Sequence, residues 1–242
     1  MKERLDTLLV TAGLAESKEL AQRFILAGEV RVAGQVATKP GHKYSDDVVL
    51  SVDARPRFVS RGGDKLEGAF LAFPDFSVTE KVCLDVGSST GGFTDCMLQH
   101  GAHRVMAVDV GRGQLHWKMR SDPRVWVRES FNARYMQVAD LPEQPERAVT
   151  DVSFISLKLI LPPIVEVLLS GGEIISLIKP QFEAGRAQAP GGVVRDPLVR
   201  EAVVEDIRVF GTGSLGLTWL GCVPSPLLGP EGNVEFLAWW RK

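Results

Sequence analysis

The chain has 242 residues and a formal net charge of −2, from 28 Lys and Arg against 30 Asp and Glu. Its 45% hydrophobic and 24% charged residues are the balance of a folded globular protein, which excludes disorder, collagen-like repeats and low-complexity tails. Near neutrality means that any nucleic-acid-binding surface has to come from local clustering of cations. Cys83, Cys96 and Cys222 are odd in number and widely spaced, which argues against a disulfide framework or a structural zinc site and for a reducing cytoplasm.

No leader is expected, because Met1-Lys2-Glu3-Arg4 has no apolar run behind it. Residues 1–55 read as a small α-plus-strand unit. Leu5, Leu8, Leu9 and Ala12 fall at helical spacing, and Gly13 stops that helix. Ser17 is a good N-cap for a second helix with Leu20, Ala21, Phe24 and Ile25 on its inner face. Val30 and Val32 alternate with charged neighbours, Gly34 turns the chain, and residues 48–52 supply another strand. The stretch from Arg55 to Gly63 holds Pro56, three arginines and paired glycines without a period, so residues 56–64 read as a linker.

From residue 65 the texture changes. Residues 82–86, 104–109, 148–151 and 173–178 are near-continuous apolar runs with helical segments between them. Such runs are what strands buried on both faces look like, and the alternation predicts a doubly wound, Rossmann-like α/β sheet. The richest apolar stretch, 157–169, is interrupted by Lys158, Pro162, Pro163 and Glu166, too short of roughly 20 apolar residues to span a membrane. Residues 183–195 read as a mobile Gly/Pro-rich loop, Asp196-Pro197 opens a helix, and residues 233–240 read as a final strand.

The first buried run leads into Asp85-Val86-Gly87-Ser88-Ser89-Thr90-Gly91-Gly92-Phe93. A small-residue turn from a strand into a helix lets a nucleotide-like ligand approach closely, although the same glycines would serve a plain tight turn. The spacing departs from G-x-G-x-x-G and puts an acid first, which suits S-adenosylmethionine better than a dinucleotide. Asp109 ends the next run, where a carboxylate can accept ribose hydroxyls. Asp151 and Lys179 each follow a buried run, Glu235 falls within the last one, and Lys65 stands after Gly62-Gly63. Charges in apolar strands are costly unless paired or working. A sheet-edge ion pair would explain any one of them, but not all four at one end of the sheet.

Residues 85–95, Asp151-Val152-Ser153-Phe154-Ile155-Ser156, Leu177-Ile178-Lys179-Pro180-Gln181-Phe182-Glu183 and residues 225–237 resemble the TlyA family across essentially the whole chain. Members are hemolysin A-like ribosomal RNA 2′-O-methyltransferases with an FtsJ/RrmJ-like domain. Residues 4–40, with Gly28-Glu29-Val30-Arg31-Val32, are similar to an S4 RNA-binding domain, although Lys18 replaces the usual Arg and Ala33 the usual Asn. The resemblance implies a methyltransferase domain over 65–242 and a catalytic tetrad of Lys65, Asp151, Lys179 and Glu235. It implies cofactor contacts from Asp85, Gly87, Ser88, Ser89, Thr90, Gly91, Gly92, Phe93, Asp109 and Asn132. Phe131 stands where Thr is usual. The substrate implied is the cytidine ribose of ribosomal RNA or a ribosomal subunit.

In that chemistry Lys179 is expected to act as the base, with repulsion from Lys65 easing loss of its proton and Asp151 and Glu235 orienting both amines. Arg4, Lys18, Arg23, Arg31, Lys39 and Lys43 are expected to meet RNA phosphates, joined by Arg57, Arg61 and Arg186. His42, His100, His103 and His116 lack metal-ligand spacing, so no metal is expected. Cys222 suggests packing rather than attack on a pyrimidine, and Trp117, Trp239 and Trp240 suggest core or edge positions. The alternatives are a membrane-active hemolysin-like protein, a non-catalytic RNA-binding factor and a base methyltransferase.

Overall fold

The computed structural model describes residues 2–53 and 56–242, and Arg55 of the expected linker lies outside them. The chain divides into two compact units, Met1–Pro56 and Arg57–Lys242.

The first unit runs β1 (Lys2–Arg4), α1 (Leu5–Thr11), α2 (Lys18–Leu26), β2 (Val30–Val32), β3 (Gln35–Val36), β4 (Lys43–Ser45) and β5 (Leu50–Val52). Ser17 caps α2 as expected, its Oγ accepting from the Leu20 amide at 3.2 Å. Leu5, Leu9, Ala21 and Ile25 pack with Val30 and Val32 into one small core. Strands β2 and β3 are joined by Ala33-Gly34, both at positive φ (49° and 82°), as a two-residue hairpin of this twist requires. β1, β3 and β4 escape sequence reading, being only two or three residues long and mostly exposed.

The second unit runs α3 (Gly62–Ala72), β6 (Val82–Val86), α4 (Gly92–Gln99), β7 (Arg104–Val108), α5 (Trp117–Arg120), β8 (Val125–Arg128), β9 (Arg147–Thr150), α6 (Leu157–Val167), β10 (Glu173–Ile178), α7 (Pro180–Glu183), α8 (Pro197–Val209), β11 (Thr218–Pro224) and β12 (Phe236–Arg241). The strands form one seven-stranded sheet in the order β11-β12-β10-β9-β6-β7-β8. β8, β7, β6, β9 and β10 are parallel, and β12 pairs antiparallel with both β10 and β11, so that β12 runs against the other strands of the sheet. One face buries Leu66, Ala69, Phe73 and Met97 of α3, α4 and the turn after α3. The other buries Ile160, Leu161, Ile164 and Ile207 of α6 and α8 against Trp240. Strand order reverses between β6 and β9. That switch point is where an open α/β sheet leaves a crevice beyond its carboxyl ends.

Four expectations need correction. The stretch 56–64 is not simply a linker: Phe58 is buried, and Gly62 opens α3 because only a glycine at 63 lets the helix lie on the Phe58 ring, where a Cβ would fall 2.2 Å away. The last strand begins at Phe236, not Asn233. Asn233 is instead taken up in a turn, its carbonyl accepting from the Gly229 amide at 2.9 Å, and Glu235 lies just before the strand with its carbonyl accepting from the Ser225 amide at 2.8 Å. Residues 183–195 hold two short 3₁₀ turns, Arg186–Gln188 and Pro190–Gly192, pinned where Asn233 accepts from the Val194 amide and donates to the Gly192 carbonyl. Trp239 and Trp240 are core residues, but Trp117 is 72% exposed.

Candidate active site at the carboxyl edge of the sheet

The β6–α4 loop is held from three sides. The amides of Gly87 and Ser88 both donate to the Val108 carbonyl, at 2.9 and 3.2 Å. The Ser89 amide donates to Asp109 Oδ2 at 2.8 Å, and the Gly111 amide to Oδ1 at 2.6 Å, so Asp109 ties the β6 and β7 loops together. Gly87 has φ +83°, which a side chain would resist. A Cβ on Gly92 would meet Ser60 Oγ at 2.3 Å, which brings the start of α4 against the start of α3.

Asp85 is buried beneath this loop. Its Oδ2 accepts from Thr94 Oγ1 at 2.6 Å, while its Oδ1 has no hydrogen-bond partner among the described residues. Burial pushes its carboxyl up to about 7; the Thr94 hydrogen bond opposes that shift, and the nearby charges of Asp151 and Asp109 add to it.

Two cavities of about 400 and 410 Å³ open above the switch point. The first is bounded by Val108, Asp109, Phe131, Asn132, Val152 and Ile160, a largely apolar slot with a carboxylate at one strand end. The second is bounded by Arg61, Gly62, Lys65, Lys179, Leu227 and Pro230. Gly87, Ser89, Asp151 and Ser153 line both. The expected cofactor residues are therefore divided. Gly87, Ser89, Asp109 and Asn132 face the first cavity, whereas Ser88, Thr90, Gly92 and Phe93 face the second. Asp85 lines neither cavity and supports the loop from below, and Gly91 instead packs on Leu115 and Met119.

The two lysines and two acids come together. Lys65 Nζ lies 2.6 Å from Glu235 Oε2 and 4.0 Å from Asp151 Oδ2. Lys179 Nζ lies 2.6 Å from Asp151 Oδ1. The result is a row of alternating charge, Glu235–Lys65–Asp151–Lys179, with Glu235 only 1% exposed and Asp151 the most open to solvent. Two residues that sequence reasoning did not single out close the row. Gln181 Nε2 donates to Glu235 Oε1 at 3.1 Å, and Lys179 donates to Ser153 Oγ at 2.9 Å. Phe154, at φ +63° and 90% exposed, packs at a tilt of 49° on Phe182 beside Lys179.

The expected RNA contacts separate by pairing. Arg4 is committed to buried Asp6 at 2.6 Å, Arg31 to Asp53 at 2.7 Å and Arg57 to Glu67 at 2.6 Å. Lys18, Arg23, Lys39, Lys43 and Arg61 are exposed and make no ion pair among the described residues. Glu67, Cys96 and His100 converge from α3, α4 and the residue after α4, with His100 Nε2 2.6 Å from Glu67. The Cys96–His100 spacing of four was a legible sign of that grouping. Burial pushes the Cys222 thiol up to about 12, which suits packing rather than nucleophilic attack.

A profile for FtsJ-like methyltransferase matches residues 58–242, and one for the S4 domain matches residues 3–50. The chain is 50% identical to "Putative rRNA methyltransferase YqxC" of Bacillus subtilis over 98% of its own length and 84% of that protein's. It is 44% identical to 16S/23S rRNA (cytidine-2′-O)-methyltransferase TlyA of Mycobacterium tuberculosis, over 99% and 90%. Among solved structures, "Putative hemolysin from Streptococcus thermophilus" superposes with a TM-score of 0.76 at 46% identity, over 100% and 88% of the two chains.

Proposed function

The chain belongs to the TlyA family, an S4 domain followed by an S-adenosylmethionine-dependent, FtsJ-like methyltransferase domain, and we propose that it methylates the 2′-hydroxyl of cytidine in ribosomal RNA. The observation that carries this reading is the position of Lys179, paired with Asp151 on the wall that the two cavities share.

S-adenosylmethionine supplies an electrophilic methyl group on a sulfonium. The first cavity fits such a group by its apolar walls and by Asp109, whose carboxylate stands where a ribose would offer hydroxyls. The Gly87 turn lies directly against the Asp151 backbone, where a Cβ would fall 2.7 Å from the carbonyl oxygen, so the cavity loop and the Asp151 turn are held together. Val108, Phe131 and Ile160 would bound the base, and Asn132 stands at the rim.

The second cavity takes the RNA ribose. Its hydroxyl is a poor nucleophile until its proton leaves, and the amine of Lys179 is the acceptor that lines this wall. Asp151 holds that amine in place. Glu235 and Gln181 hold Lys65, whose charge faces the oxygen as negative charge develops. Exposed Phe154 offers an aromatic face to the target base, and Arg61 offers a cation to a flanking phosphate. The S4 unit adds Lys18, Arg23 and Lys39 as phosphate contacts. Among the described residues no helix is long and apolar enough to cross a membrane. A ribosomal RNA substrate would be met in the cytoplasm.

The test is methyl transfer from labelled cofactor to isolated ribosomal subunits, followed by nuclease digestion and nucleoside mass. Label on a cytidine ribose, lost by about 10²–10⁴-fold in Lys179→Ala with cofactor binding unchanged, is the expected result. Label on a base, or undiminished transfer by Lys179→Ala, overturns the reading.

A further inference from the structure

We infer that Ser153 is a positioning residue, which acts by fixing the direction in which the amine of Lys179 presents its lone pair. The inference rests on the proposed role of Lys179 as base and goes beyond it.

A protonated lysine has three N–H donors, and a neutral one has two N–H donors and one lone pair. The chain offers Lys179 Nζ two acceptors: Asp151 Oδ1 at 2.6 Å and Ser153 Oγ at 2.9 Å. Once the amine is neutral, those two acceptors take both remaining N–H groups. The lone pair then has one direction left, away from the β9–α6 turn and toward the cavity that Lys65 and Gly62 also line. Asp151 alone would fix one N–H and leave the other N–H and the lone pair free to exchange places. Ser153 decides between those two arrangements.

The backbone supports this assignment. Ser153 sits immediately before Phe154, whose φ of +63° bends the turn so that residue 153 lines both cavities. A non-glycine residue is disfavoured in that region and is held there by its surroundings. The turn is clamped from beyond by Glu183, which accepts from Ser156 Oγ at 2.6 Å and from the Leu157 amide at 2.8 Å. Ser153 itself is exposed and makes no hydrogen bond in the described residues other than the one to Lys179. Its hydroxyl therefore has no evident packing duty.

The experiment compares wild type, Ser153→Ala, Ser153→Thr, Lys179→Ala and the double variant Ser153→Ala with Lys179→Ala, on isolated subunits with S-adenosylmethionine. Ser153→Ala should lower kcat about ten-fold, the size of one lost charge-assisted hydrogen bond, with KM for both substrates and the melting temperature unchanged. Ser153→Thr keeps the hydroxyl, has open cavity for its methyl group, and should recover most of that rate. Because Ser153 acts through the amine, the double variant should be no slower than Lys179→Ala alone. A wild-type or faster Ser153→Ala, a Thr variant as slow as the Ala variant, a loss confined to KM, or an additive double variant would each overturn the inference. An active Lys179→Ala is a different failure, since it removes the base itself and with it the proposed function.

Discussion

Gly87 stands so close to the backbone of Asp151 that a Cβ on it would lie 2.7 Å from the Asp151 carbonyl oxygen. The loop that lines the first cavity and the turn that carries the bridging carboxylate are therefore in direct contact across the switch point of the sheet. Gly87→Ala must relieve that overlap and a φ of +83° together, which shifts the cavity loop against the turn that carries the Asp151–Lys179 pair. The variant should lose affinity for S-adenosylmethionine by at least about ten-fold and lose kcat as well, the first read by calorimetry and the second by methyl transfer. A variant impaired in only one of the two would show that the two segments move independently.

Asp85 makes stability depend on pH in an unusual sense. Burial, with the nearby charges of Asp151 and Asp109, holds its carboxyl at about 7, well above the roughly 3.9 of an unfolded chain. A raised value means that the folded state grips the proton more tightly. The stabilisation from that proton is complete below about pH 4 and disappears as pH climbs through about 7. Asp85→Asn carries no charge at any pH, so its melting temperature should rise relative to wild type by several degrees between pH 5 and pH 8. Other groups titrate alike in both proteins, and parallel melting curves across that range would refute the assignment.

Much of this architecture is legible in the sequence because its strands are buried on both faces. β6, β7, β9 and β10 read as near-continuous apolar runs, and a charge just past such a run, as at Asp151 and Lys179, is conspicuous against its apolar neighbours. Ser153 and Gln181 carry no such mark. A serine or a glutamine is unremarkable on any loop, and each finds its partner only when the strands bring together residues 26 and 54 positions apart. The ion pair of Arg31 is hidden for the same reason, since Asp53 lies 22 positions away, whereas the partner of Arg4 is only two positions on, at Asp6. Such pairing decides which cations are free for RNA.

Arg23 and Arg31 test that distinction within the S4 unit. Arg31 donates to both oxygens of Asp53, at 2.7 and 3.0 Å, whereas the Arg23 side chain has no ion-pair partner among the described residues. Arg23→Ala should weaken RNA binding and reduce the slope of log affinity against log salt by about one. Arg31→Ala should change the slope less, because its charge is already offset within the chain. Equal slopes for the two variants, measured on one RNA fragment over one salt series, would mean that Arg31 leaves Asp53 on binding.

Glu183 joins the two segments that meet at Lys179. It ends α7, directly after the Lys179–Phe182 stretch, and its carboxylate reaches back to cap α6 just past the Asp151–Phe154 turn. Burial pushes its carboxyl above the usual carboxylate range, which the Ser156 and Leu157 donors counter. Glu183→Ala leaves the Leu157 amide and the Ser156 hydroxyl without their acceptor, at a cost of about 1–3 kcal/mol in chemical denaturation. Glu183→Gln keeps an acceptor oxygen for the amide and should restore part of that loss. If the clamp also sets the active-site turn, Glu183→Ala will lower kcat without changing RNA affinity, since the charge it removes faces the protein. Full stability in Glu183→Ala would show that α6 and α7 hold their places by apolar packing alone.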